Sequence, residues 1–318
     1  MALEDAKHDV DRAISGDSTG LAYENPFAGV TSFLRRPYAK ALADFDLAVT
    51  GVAFDQAVTH RPGARFGPRA IREASTLMAG DTPYGWGYSP LDTFRLADAG
   101  DMAFDYAKMA EVPGKVEAHV SAMLAAGTAA LVLGGDHSIC LPILRAHAAK
   151  YGPLALLQFD AHPDTWRDDA PTRVDHGTFV YKATQEGLID ANRSVQIGTR
   201  VEVEDEANHD ITRIDARAVH AGSDVVGTVK EVAGDAPVYL TFDIDVLDPA
   251  FAPGTGTPVT GGLSTAQIAP MLRGLAGINL VGADVVEVAP PYDHANITAL
   301  AAAYIAYDLI ALWGWNRR

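Results

Sequence analysis

Three strings that mix acids with histidine stand directly after apolar runs in this sequence: LVLGGDHS at 131–138, LLQFDAHPD at 156–164 and YLTFDIDVLDP at 239–249. Gathering four carboxylates and two imidazoles without a cation costs on the order of several kcal/mol in repulsion and desolvation. The strings therefore predict that His137, Asp160, His162, Asp164, Asp243 and Asp245 hold two divalent ions and use them to activate water for hydrolysis. Mixed histidine and aspartate ligation suits manganese, with iron, cobalt, nickel or zinc as substitutes, and the imidazoles disfavour calcium. No cysteine sits in the motifs in a way that suggests structural zinc.

Each string also has a plainer reading. The glycines of LGGDHS could mark a tight strand-to-helix turn, with Asp136 or Ser138 capping the helix that follows. FDIDVLDP starts like a calcium loop, but its third acid, Asp248, falls one place late and the twelfth position is Gly254 rather than glutamate. Three such strings, each ending a buried apolar run, favour the metal reading.

The elements that must carry these residues follow from periodicity. Short apolar or β-branched runs recur at 46–53, 94–99, 129–134, 154–160, 194–199, 211–215, 237–244 and 278–287, eight candidate strands in all. Helical spacing marks 67–77, 115–126, 141–150, 223–233, 264–275 and a long closing segment around 295–313. Such alternation predicts a three-layer α/β sandwich with a mostly parallel central sheet of about eight strands, its ligands collected beyond the carboxyl ends of the strands. At a strand period of two, Asp160 and His162 share one side of a strand end, as do Asp243 and Asp245. We expect one domain over 1–318, with 1–45 as an N-terminal arm packed on it.

Composition excludes several partners. A formal charge of −16 repels nucleic acid and anionic membrane, and no basic patch offsets it. The single cysteine, Cys140, rules out an internal disulfide and fits the cytoplasm. The N-terminus has acids where a signal peptide needs basic and then apolar residues, and the apolar run 121–135 is too short to span a bilayer. Neither a phosphate-binding G-x-x-x-x-G-K-[ST] loop nor a G-x-S-x-G elbow is present.

GGDHS, DAHPD and FDIDVLDPAFAPGTGTP resemble the three signature motifs of the ureohydrolases (arginase, agmatinase, guanidinobutyrase and formiminoglutamase), and the resemblance runs from about residue 46 to the C-terminus. It implies an arginase-like fold and two Mn²⁺ per subunit. His137, Asp160, Asp164 and Asp243 would hold one ion, His162, Asp160, Asp243 and Asp245 the other, with Asp160 and Asp243 bridging. It also implies that His176, in DHGTF, is a proton shuttle near neutral pKa and that Glu287, in DVVEVAPPYD, grips a substrate guanidinium. In that scheme Asp164 accepts a hydrogen bond from the attacking oxygen.

The implied substrate is a small guanidino compound, cleaved to urea and an amine. Arginases carry asparagine two residues past the last aspartate of the second motif, where this chain has Trp166, so an arginine head-group reader is not expected. The segments DHGTFVYKATQEGLID and SVQIGTR look most like bacterial agmatinases, and GVAFDQAVTHRPGARFGPRAIREAST resembles the agmatinase and guanidinobutyrase loop that borders the pocket. The first expectation is thus agmatine to putrescine and urea, within polyamine biosynthesis. A guanidinobutyrase or guanidinopropionase is the alternative, and it would need a cation such as Arg65 or Arg167 for the substrate's carboxylate. A non-catalytic metal-binding regulator on the same scaffold predicts loss of a ligand or of the shuttle, and all these positions are intact. A single-zinc deacetylase-like hydrolase fails on the presence of Asp245 and Glu287. The resemblance further implies a homo-oligomer, a trimer or hexamer.

Overall fold

The computed structural model describes residues 25–170, 172–203 and 210–318. All eight expected strands form: β1 (Leu47–Val52), β2 (Leu96–Asp101), β3 (Ala129–Gly134), β4 (Ala155–Phe159), β5 (Val195–Ile197), β6 (Thr212–Ile214), β7 (Val238–Asp243) and β8 (Leu280–Val286). They make one sheet in the order β2-β1-β3-β8-β7-β4-β5-β6, and every adjacent pair is parallel. Among the described residues the helices are α1 (Gly67–Ser75), α2 (Pro90–Thr93), α3 (Val112–Ala125), α4 (Cys140–Tyr151), α5 (Phe179–Gln185), α6 (Ala216–His220), α7 (Val225–Ala233), α8 (Thr265–Gly274) and α9 (Ile297–Gly314).

The strands read as continuous apolar runs because both sheet faces are covered. Leu131 and Leu133 of β3 join the core cluster that includes α1, α7, α8 and α9, whereas Ala130 and Val132 turn to the cluster formed with α3, α4 and α5. Helix α9 is apolar on every side for the same reason. By length and composition Ile297–Arg317 could cross a membrane, yet 78% of its most apolar window is buried inside the protein. The apolar stretch 121–135 is divided between the end of α3 and strand β3.

Of the expected N-terminal arm, residues 1–24 lie outside the described residues. Within the remainder residues 25–31 are exposed, whereas Phe33 and Leu34 are fully buried, with their amides donated to Asp98 Oδ2 (2.7 Å) and Ser75 Oγ (2.8 Å). Tyr38 then bridges to Asp98 in parallel beside β2.

Topology decides where the three strings meet. The crossover from β3 through α4 to β4 leaves a gap of two places that β8 and β7 later fill. The carboxyl ends of β3, β8, β7 and β4 therefore stand side by side at the centre of the sheet, and those four ends carry His137, Glu287, Asp243 and Asp160.

Candidate metal centre

Strand ends and tight turns aim each side chain. After β3 the chain turns beneath the loop that follows β1: a Cβ on Gly135 would lie 1.7 Å from Phe54 O, so only glycine fits. Asp136 accepts from the Ser138 amide (3.1 Å) and the Ala57 amide (2.9 Å), capping the 3₁₀ turn His137–Ile139 and tying it to the β1 loop. The capping reading of Asp136 thus holds, and the cap is what presents His137.

Asp164 (φ 53°) and Glu287 (φ 64°) adopt left-handed backbone conformations that side chains other than glycine seldom take. Such strain persists only where surroundings enforce it, and it collects at working sites. The Asp164 carbonyl accepts from the Val180 amide (3.1 Å) at the start of α5, and the Glu287 amide donates to Gly135 O (2.9 Å).

The six candidate ligands converge. His137 Nδ1 lies 3.1 Å from Asp160 Oδ2, 3.1 Å from Asp164 Oδ2 and 3.2 Å from Asp243 Oδ2. His162 Nδ1 lies 3.1 Å from Asp245 Oδ2 and 3.5 Å from Asp160 Oδ1. Two ligand groups result, His137–Asp160–Asp164 and Asp160–His162–Asp245, and Asp160 offers one oxygen to each. Asp243 stands on the His137 side, its Oδ1 being held by the Asp245 amide (2.8 Å). Backbone and amide donors fix the remaining oxygens: Asp245 Oδ1 accepts from the Ala161 amide (3.1 Å), Asp160 Oδ1 from the His162 amide (2.6 Å) and Asp160 Oδ2 from Gln158 Nε2 (2.8 Å).

The donor set fits a cation. His137 Nδ1 is fully buried without a hydrogen-bond partner while three carboxylate oxygens surround it. Without metal the cluster must retain protons. Burial, then the Asp160 charge, raises Asp164 to about 7; burial, with Asp245 and Asp160, raises Asp243 well above the carboxylate range. Burial works against the imidazolium forms, yet the carboxylates prevail and push His162 up to about 12 and His137 well above its ordinary value. Burial opposes the charged form of Asp160 too, but its two histidine neighbours draw it downward. A divalent ion supplies in place of those protons the positive charge the cluster lacks.

His176 and Glu287 meet beside this cluster. Glu287, buried, accepts on Oε1 from the His137 amide (2.9 Å) and pairs with His176 Nδ1 (3.1 Å), while its Oε2 is buried with no partner. Thr59 Oγ1 holds His176 Nε2 at 2.9 Å. Around the His176 imidazole burial works against the charged form, but the Glu287 hydrogen bond and charge, aided by Asp164 and Asp136, raise it to about 9.

A cleft of about 550 Å³ opens over these groups, lined by Thr59, His162, Trp166, His176, Val201 and Thr257 among others. Trp166 is half-buried in its wall, 6.4 Å between ring centroids from His162. The rim carries both signs: Arg173 pairs with Asp175 (3.0 Å), Asp168 with Lys182 (3.0 Å) and Arg167 with Asp169 (2.9 Å). Arg65 is engaged by the buried Asp55 and does not line the cleft.

Sequence reading missed the polar residues behind the ligands. Gln196 Nε2 donates to Gln158 Oε1 (2.7 Å), which orients the Gln158 amide toward Asp160, and Arg213 Nε donates to Gln196 Oε1 (2.7 Å). Thr241 and Asp284 stand behind His137. All but Arg213 carried a readable signal: one polar side chain inside an otherwise apolar buried strand, as in LLQFD, SVQIG, YLTFD and GADVV. A buried polar group needs a partner, so each interruption pointed to a network.

Comparison with known proteins agrees with this geometry. Residues 45–311 match the model of the arginase family. An agmatinase from Chromobacterium violaceum is 50% identical over 296 residues, 92% of this chain and 91% of the relative. The crystal structure of a protein described as a hypothetical agmatinase from Burkholderia thailandensis superposes with a TM-score of 0.92 at 49% identity, covering 96% of this chain and 98% of the other. Proclavaminate amidino hydrolase from Streptomyces clavuligerus gives 0.85 at 36% identity, over 91% and 99% of the two chains. The chain belongs to the arginase family and is an agmatinase-like ureohydrolase.

Proposed function

We propose that this enzyme hydrolyses agmatine to urea and putrescine with two manganese ions, held by His137, Asp160, Asp164 and Asp243 on one side and by His162, Asp160, Asp243 and Asp245 on the other. When bound, such ions lower the pKa of water and stabilise developing negative charge. The observation that carries the reading is the buried, unpartnered His137 Nδ1 amid three carboxylate oxygens, next to the equally unpartnered Glu287 Oε2.

The chain's own residues do the rest. Glu287 Oε2 is an acceptor without a donor, and a planar guanidinium N–H supplies one in fork geometry. His176, raised to about 9, carries a proton at neutral pH and can deliver it to the departing amine. Asp164 accepts a hydrogen bond from the attacking oxygen and orients it. For the tail, the Trp166 indole face attracts an ammonium and repels a carboxylate. Arg65, one of the two cations a guanidino acid could use, is occupied by Asp55. Relatives named agmatinase at 46% to 50% identity support the same substrate. Arg167 in the cleft wall keeps a guanidino acid as the second reading.

Urea release with added manganese decides between them. Agmatine should be turned over far faster than 4-guanidinobutyrate, 3-guanidinopropionate, arginine or guanidine, and activity on none of the five would refute the substrate class. A cytosolic homo-oligomer, trimer or hexamer, completes the proposal, and light scattering in solution checks the number.

A further inference from the structure

We propose that Tyr239, Thr241 and Asp284 form a positioning relay that keeps Nε2 of His137 protonated, so that Nδ1 is the nitrogen left to give its lone pair to a cation. The inference rests on His137 being a metal ligand, as proposed above.

The three residues are placed by the sheet itself. Thr241 of β7 and Asp284 of β8 are direct partners in the parallel register, and Tyr239 shares the face of Thr241 two residues earlier. All three are fully buried, away from the cleft. The Thr241 hydroxyl donates to Asp284 Oδ1 (2.6 Å), and the Tyr239 hydroxyl donates to Asp284 Oδ2 (2.7 Å). His137 Nε2 lies 2.7 Å from Thr241 Oγ1.

Counting protons fixes the direction. A hydroxyl has one hydrogen, and Thr241 gives it to Asp284, so toward His137 it can only accept. Nε2 is then an N–H in either charge state, and once the ring is neutral Nδ1 is the nitrogen left with the lone pair. In the reverse arrangement Thr241 would donate to Nε2, Asp284 Oδ1 would lose its donor, and the proton on Nδ1 would occupy the direction a cation needs. The Cys140 thiol also lies against His137 and Asp284. A hydrogen bond to the far nitrogen of a ligating histidine typically changes metal affinity by about 10–100-fold.

Two substitutions at one position separate a relay from packing. Thr241→Val keeps the shape and removes the hydroxyl, whereas Thr241→Ser keeps the hydroxyl and removes a methyl. Manganese affinity of the metal-depleted protein, measured by calorimetry, should fall about 10–100-fold in Thr241→Val and stay within about threefold of wild type in Thr241→Ser. Asp284→Asn, which touches neither His137 nor the cleft, should weaken binding about as much as Thr241→Val, since its amide can donate to Thr241 and turn the hydroxyl toward Nε2. Serine weaker than valine would show that the methyl packs and no relay exists. Full affinity in Asp284→Asn would overturn the relay as well. If the wild-type protein bound no divalent ion, the metal reading itself would fall, an outcome distinct from either.

Discussion

The two flanks of the metal cluster are built differently. On the His137 flank the imidazole is sealed, with 1% of its side chain exposed, and its far nitrogen is tied to Thr241 on the floor of the sheet. On the other flank His162 is 16% exposed and has Trp166 as its ring neighbour, although both histidines border the cleft. Behind His137 stands Thr241 on a strand paired in register, whereas His162 and Trp166 both lie on the loop that follows β4, the loop that also carries Asp164. Strands fix their side chains at the time of folding, whereas a loop can adjust to what enters the cleft. The sheet is thus suited to fixing His137, and the loop around Trp166 to reading a substrate.

The harshest way to break this division is to remove a residue that both ligand groups share. Asp160→Asn takes an anionic oxygen from each ligand group at once. Metal content per chain should fall to less than half of the wild-type value, and urea release should drop beyond the roughly 100-fold that second-sphere changes cause. Retention of two ions with near-normal turnover would show that the flanks do not depend on a common carboxylate.

Acid gives a smaller, graded effect. In the metal-free protein Asp164, Asp243, Asp245, His137 and His162 are all raised, which means that the cluster binds protons a cation must displace. Metal uptake therefore releases protons, and affinity rises with pH. As pH falls through about 7, where Asp164 takes up its proton, affinity should drop by up to about tenfold per pH unit for each proton released. Calorimetric titrations at pH 6 and pH 8, in buffers of different ionisation heat, measure the release directly. Equal affinities and no proton release would mean that the ion replaces no protons at either flank.

The flanks also differ in how legible they were. The eight strands and the strings at their ends were readable because buried parallel strands leave uninterrupted apolar runs, and an acid or histidine ending such a run is conspicuous. Strand order was not readable, since the gap between β3 and β4 is filled by strands more than 70 residues later in the chain. Nothing local in GADVV says that Asp284 pairs with Thr241, although each stood out as a polar residue in an apolar strand. The pKa of His176 was out of reach for a related reason: Glu287, 111 residues away, sets it. Trp166 could be named as a departure from the arginase pattern, but only the fold shows it in the cleft wall beside His162.

Trp166 yields the mildest and most selective test of the loop side. An ammonium over an indole face gains about 0.5–2 kcal/mol depending on its exposure, which corresponds to roughly 2–30-fold in kcat/KM. Trp166→Ala should lower kcat/KM for agmatine by that factor and leave 1-butylguanidine, which has the same guanidinium and an uncharged tail, nearly unchanged. Trp166→Phe should lie between, because a smaller ring keeps a weaker quadrupole. The metal content should stay at the wild-type value in both variants, since the nearest candidate ligand, His162, is held by Asp160 and Asp245 rather than by the indole. A parallel loss on both substrates would make Trp166 a packing wall for the loop, and loss of metal would mean that the loop side holds the ion as firmly as the sheet side does.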